Sequence, residues 1–144
     1  MPHPPKEKNL VNKISSNKSI LLGEDDIDDE ELLKELFSSV DDSFLLTFIS
    51  NGKHLVDHLD SLSDDLLPCL IVLDYNMPEL NGADILEVLR KREKYDAIPK
   101  VIWSTSASET YRKRCLDLGA QDYIIKPSRI SELVNSIRYM ISFC

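Results

Sequence analysis

The sequence predicts an α/β fold: a doubly wound sheet of five parallel strands accompanied by five helices. Three observations predict it. Five short apolar runs of strand length recur along the 144 residues. Each is followed by a segment whose apolar residues fall at helical spacing. Turn-forming residues mark the junctions between them. Strands that alternate with helices build parallel sheets covered on both faces.

The first run, residues 20–22, precedes Leu32, Leu33, Leu36, Phe37 and Val40, which share one helix face. The second, residues 44–49, precedes Leu55, Leu59 and Leu62. The third, residues 69–73, precedes Ile85, Leu86 and Leu89. The fourth, residues 101–103, precedes Tyr111, Cys115 and Leu118. The fifth, residues 123–125, precedes Ile130, Leu133, Val134, Ile137, Met140 and Ile141, the clearest amphipathic stripe in the chain. Asn51-Gly52, Asn81-Gly82 and Gly119 mark turns or helix ends, Pro99 precedes the fourth run, and Ser128 stands where a cap for the last helix is expected.

Right-handed crossovers leave few topologies. The common five-stranded order is 2-1-3-4-5, the flavodoxin-like arrangement, in which strands 1 and 3 lie side by side. Ligands of such sheets bind at the carboxyl ends of the strands, where the winding reverses.

Composition narrows the function. The net charge is −8, but residues 1–18 carry Lys6, Lys8, Lys13 and Lys18 against Glu7, which leaves −11 for the remainder. An acidic body repels phosphate backbones and argues against nonspecific nucleic-acid binding. Residues 1–18 read as a flexible basic tail, and residues 19–144 as one domain. The longest apolar stretch is about five residues, too short to span a membrane. The three cysteines, Cys69, Cys115 and Cys144, fit neither a disulfide framework nor zinc spacing, which points to a reducing, cytoplasmic setting.

The polar residues at the strand ends carry the chemistry. Strand 1 ends in Gly23-Glu24-Asp25-Asp26, strand 3 in Asp74-Tyr75-Asn76-Met77-Pro78, strand 4 in Ser104-Thr105 and strand 5 in Lys126-Pro127. The predicted order converges Glu24, Asp25 and Asp74, with Ser104 and Lys126 on the far side. Three carboxylates stay ionised together when a cation sits among them. Oxygen-only ligands on a compact site suit Mg²⁺. A carboxylate, Mg²⁺, a lysine and a hydroxyl together suit phosphoryl transfer to the carboxylate, giving an aspartyl-phosphate.

These segments, within residues 20–26, 71–82, 98–105 and 119–127, resemble the receiver domain of two-component response regulators, in order and at the strand ends. The resemblance implies that Asp74 accepts a phosphoryl group from a histidine kinase or a phosphotransfer protein. It maps the acidic pair onto Glu24 and Asp25, with Asp25 a direct Mg²⁺ ligand and Glu24 acting through water. Asn76 would offer its backbone carbonyl to the metal. Ser104 is the switch hydroxyl, Thr105 occupies the small-residue position beside it, and Tyr123 matches the aromatic switch. Asp26 stays outside the set, although a slip of one residue would make the pair Asp25 and Asp26. Two departures stand out: Gly23 replaces a bulky aliphatic residue, and the connection between strand 1 and Asp74 is slightly long.

The reading is therefore a stand-alone signalling phosphoacceptor that catalyses only its own phosphorylation and dephosphorylation. The chain stops after the fifth helix, so no DNA-binding output domain is expected and the output is protein binding. A chemotaxis-type regulator and a relay intermediate both fit, and regulators that pair with phytochrome-type kinases have similar loops before Asp74. The basic stretch Tyr111-Arg112-Lys113-Arg114 marks the fourth helix as a docking face or, with the fifth strand and fifth helix, a homodimer face. Two other classes compete: a phosphatase with an Asp nucleophile, and a degenerate receiver that is never phosphorylated. Such phosphatases place a second carboxylate two residues after the nucleophile, where this chain has Asn76. The run Asp28-Asp29-Glu30-Glu31 reads as a solvated first helical turn, and Trp103 as core. His54 and His58 share a helix face without a third ligand.

Overall fold

The apolar runs become the strands of one sheet. The computed structural model describes residues 18–144. Its strands are β1 (Ser19–Gly23), β2 (Leu45–Ile49), β3 (Leu70–Asp74), β4 (Lys100–Ser104) and β5 (Asp122–Ile125). All neighbouring pairs are parallel, and the order is β2-β1-β3-β4-β5, as predicted. Between and after them run α1 (Ile27–Val40), α2 (Gly52–Ser61), α3 (Gly82–Leu89), α4 (Glu109–Asp117) and α5 (Ile130–Ile141). A short 3₁₀ turn lies at Asp64–Leu66, before β3, and a second at Glu93–Tyr95.

Strand alternation sorts the apolar residues onto two faces. Ile20, Leu22, Val72 and Trp103 pack with Leu33, Leu36 and Phe37 of α1 and with Leu133, Ile137 and Met140 of α5. Leu21, Ile71, Leu73, Ile102 and Tyr123 pack with residues of α2, α3 and α4, among them Leu55, Leu59, Ile85, Leu86 and Cys115. Every residue of β3 is buried, whereas the edge strand β2 is partly exposed throughout. Each fully buried aliphatic side chain contributes about 1.5–3 kcal/mol, so the sheet is held more firmly at β3, which carries Asp74, than at its β2 edge.

The helix starts are set by short polar side chains. Asp26 Oδ1 accepts from the backbone N–H groups of Asp28 and Asp29 at 2.8 and 3.1 Å. Asn51 caps α2 in the same way, and Asn81 forms a reciprocal capping box with Asp84 at the start of α3. The expected cap of α5 is corrected. That helix begins at Ile130, so its N-cap position is Arg129, which makes no side-chain cap bond, and Ser128 falls one residue too early.

Two glycines are required by close approach. A Cβ at Gly52 would lie 2.0 Å from the Leu80 carbonyl oxygen, because the first turn of α2 presses on the loop after β3. The Gly52 N–H also donates to the Pro78 carbonyl at 3.1 Å. A Cβ at Gly23 would meet the Met77 methyl at 2.6 Å. The small residue at the end of β1 therefore makes room for Met77 below the strand ends.

The reading of the cysteines is also corrected. Cys69, just before β3, and Cys144, beyond α5, form a disulfide with Cα atoms 5.2 Å apart and 75 residues of sequence separation. Helix α5 lies across the face of β1 and β3, and Cys69, Ile141 and Phe143 pack against the same core, which brings the two thiols together. Cys115 is free and buried.

Among the described residues no helix is long and apolar enough to cross a membrane. The expected tail lies outside the described residues except for Lys18, whose Nζ pairs with Asp41 at 3.4 Å.

Candidate functional site

Register places the acidic residues. β1 and β3 are aligned with Gly23 opposite Leu73, so the next residues, Glu24 and Asp74, stand side by side at the carboxyl ends. One oxygen each from Glu24, Asp25 and Asp74 lies within 4.8 Å of the others. Glu24 is 2% exposed and Asp74 8%, whereas Asp25 faces solvent. From the other side, β4 ends at Ser104, whose carbonyl accepts from the Lys126 N–H at 2.7 Å. The Lys126 ammonium reaches back across the site. Its Nζ lies 3.2 Å from Glu24 Oε1, 3.1 Å from Asp74 Oδ2 and 3.2 Å from Asp29 Oδ2.

Burial makes this cluster electrostatically uneasy. Glu24 is pushed up to about 7, first by burial and then by its hydrogen bond to, and repulsion from, Asp74; Lys126 offsets this in part. For Lys126 burial alone favours the neutral amine, but the Asp74 and Glu24 carboxylates outweigh it and raise its pKa. The three carboxylates form a hard, oxygen-only donor set that fits a divalent cation such as Mg²⁺. Asp26 is absent from the cluster because its carboxylate is engaged by the N–H groups of α1.

The Glu24 pKa implies a pH signature. In the absence of divalent cations the folded state holds a proton on Glu24 that the unfolded chain releases above its ordinary value of 4.5. This contribution to stability is full below that value and is lost as the pH rises through about 7. Mg²⁺ should therefore raise the urea midpoint more at pH 8 than at pH 5. Equal increments at the two pH values would contradict the assignment.

Asn76, Ser104, Thr105 and Tyr123 lie outside the carboxylate cluster. The Asn76 N–H donates to Asp74 Oδ1 at 3.2 Å, and the Asn76 side chain is exposed. Ser104 is fully buried, and its Oγ accepts from the Ser106 N–H at 3.1 Å. Thr105 is exposed and lines, with Asp29, Leu33, Trp103 and Lys126, a cavity of about 280 Å³. Tyr123 is buried among α2, α3 and α4 residues, and its hydroxyl donates to the Ser106 carbonyl at 2.8 Å. Trp103 packs on the opposite face under α1 and α5.

Two features went unread in the sequence. Asp29 is not merely part of a solvated turn, since it pairs with Lys126. Its signal was present: Asp29 precedes Leu33 by four residues and Leu36 by seven, so it extends the buried stripe of α1 toward the strand ends. The second is a parallel stack of Tyr75 on Tyr111, with ring centroids 4.4 Å apart. It joins the residue after Asp74 to α4, and no local spacing announces it.

Comparison with known proteins agrees with this geometry. Residues 20–138 match the family described as the response regulator receiver domain. The two-component response regulator ORR3 of Oryza sativa subsp. indica is 34% identical over 114 residues, 79% of this chain and 83% of that protein. The transcriptional regulatory protein CpxR of Escherichia coli (strain K12) is 36% identical over 122 residues, 85% of this chain and 48% of that protein. The phosphorylated cyanobacterial phytochrome response regulator RcpA superposes with a TM-score of 0.78 at 26% identity, covering 88% of this chain and 93% of that one. The Mn²⁺-bound form of response regulator Rcp1 gives a TM-score of 0.76 at 26% identity, with coverage of 88% and 93%.

Proposed function

Because this chain belongs to the response regulator receiver domain family, we propose that it is a phosphorylation switch whose acceptor is Asp74. The observation that carries this reading is the convergence of Asp74 with Lys126, Glu24 and Asp25 at the strand ends. The donor is a histidine kinase or a phosphotransfer protein. An Asp74 carboxylate oxygen attacks phosphorus, the P–N bond of the phosphohistidine breaks as the P–O bond forms, and the imidazole leaves with a proton from solvent. Asp25 and Asp74 would hold Mg²⁺ directly, with the Asn76 backbone carbonyl, and Glu24 would act through water. A cation held there would neutralise charge on the phosphoryl oxygens. Lys126 supplies a second positive charge from the opposite side.

The readout follows from Ser104, Thr105 and Tyr123. Ser104 donates its hydroxyl to the phosphoryl group, with Thr105 as the neighbouring small residue. Tyr123 occupies the space behind Ser106 and repacks when that strand end moves. The affected face comprises α4, β5 and α5, which expose Tyr111, Leu116, Ile125, Ile130 and Tyr139. That face is the surface for an effector protein or for a second copy of the chain. Nucleic acid and membrane are not among the proposed partners, in keeping with the acidic body. The proposed compartment is the cytoplasm, where ATP-derived phosphodonors are made.

Intact mass after incubation with a small phosphodonor and Mg²⁺ tests the reading. One added phosphoryl group is expected. No uptake would leave a phosphorylation-independent binder, and multiple turnover of the donor without retained phosphate would favour a phosphatase.

A further inference from the structure

Lys126 has three carboxylate partners, and they do not share one fate. Glu24 and Asp74 belong to the cluster that can hold a cation, and Asp74 is the proposed acceptor. Once a cation and a phosphoryl group are present, both are engaged elsewhere. Asp29 lies outside that cluster, on a different element, yet its Oδ2 is 3.2 Å from the same ammonium. Its backbone is fixed: its N–H is held by the Asp26 cap at 3.1 Å, and its helix is anchored by Leu33, Leu36 and Phe37. The Lys126 side chain is 12% exposed, against 41% for that of Asp29, so the pair bridges the buried site and its rim.

We infer that Asp29 is a positioning residue for Lys126, holding the ammonium over the acceptor through every stage of phosphoryl transfer. The inference deepens the function proposed above and rests on it for its kinetic consequence. A free lysine side chain carries about 2 kcal/mol of rotamer entropy. A carboxylate on a rigid helix start removes much of that freedom before the phosphoryl group arrives. Asp29 touches neither the acceptor nor the donor in this arrangement, so its effect passes through Lys126 alone. At metal sites, loss of the groups that orient the ligands costs roughly tenfold or more in affinity or activity, and the same scale is expected for a group that orients Lys126.

The test uses the full chain and the variants Asp29→Ala and Asp29→Glu. Phosphorylation by a small phosphodonor with Mg²⁺ should slow roughly tenfold in Asp29→Ala and recover in Asp29→Glu. Mg²⁺ affinity, read by calorimetry, should follow the parent chain. In the metal-free protein, the Lys126 ammonium resonance should be sharp in the parent and Asp29→Glu, and broadened by solvent exchange in Asp29→Ala. That last measurement needs no phosphorylation, so it tests the tether even if the parent chain accepts no phosphate. An unchanged ammonium signal in Asp29→Ala would overturn the inference. So would faster phosphorylation, which would make Asp29 a competitor that draws Lys126 away.

Discussion

Phosphoryl uptake should fall to background when Asp74 is replaced by Asn, while the fold persists. The substitution keeps the shape of the side chain and removes its nucleophilic oxygen. The fold should not suffer, because Asp74 adds to the electrostatic tension of the site: its charge and its hydrogen bond both push Glu24 upward. Lys126 keeps Glu24 and Asp29 as partners in the variant. Trp103 offers an independent reading, since it immediately precedes Ser104 and lies buried under α1 and α5. Mg²⁺ alone should change its fluorescence little, and beryllofluoride with Mg²⁺ should change it clearly. That second change should be absent in Asp74→Asn. Undiminished labelling of Asp74→Asn would reject Asp74 as the acceptor, and an equal fluorescence response would show that Trp103 reports on another event.

The second large effect concerns the Cys69–Cys144 disulfide. Closing a loop with a sequence separation of 75 residues restricts the unfolded chain. Loop-closure entropy sets the expected stabilisation at about 4 kcal/mol. Cys144→Ser should lower the unfolding free energy by that order, and reductant should lower the parent chain to the same level. The double variant Cys69→Ser with Cys144→Ser should be no less stable than the worse single variant, since the bond is lost once. A denaturant midpoint that reductant leaves unmoved would mean that the bond does not form in solution. Where thiols keep the pair reduced, α5 would rest on its apolar stripe and on the Tyr139 hydroxyl, which donates to Asp122.

The legible parts of this protein were those written in local periodicity. Five strand-length runs and the helical spacing after each leave few topologies once handedness is applied, and the common order among them, β2-β1-β3-β4-β5, is the one observed. The pocket followed from the order, since any residue at the end of β1 must stand beside one at the end of β3. What escaped depended on distance in space without a pattern in sequence. Cys69 and Cys144 meet only because the end of α5 packs on the same core as the start of β3, which no spacing encodes. Asp29 was hidden by its neighbours: in a run of four acids, only the helix phase relative to Leu33 and Leu36 separates the one facing the site from those facing water. Ser128 misled because the helix begins at Ile130, one residue later than a cap at Ser128 would start it.

Gly52 shows how far the demands of the site extend along the chain. It carries no group that could bind or react, and it stands 22 positions before Asp74 in the sequence. Yet its α-carbon leaves no clearance beneath the Leu80 carbonyl, and any branching there would push on the loop that carries Met77 and Pro78. The freedom of this sequence to drift is thus rationed by geometry as well as by reactivity. A lineage could exchange many of its surface charges and keep working, whereas one added methyl group at this position would have to be matched by a rebuilt loop. A genetic screen for loss of signalling would score such a change beside the loss of Asp74, although the two failures share no chemistry.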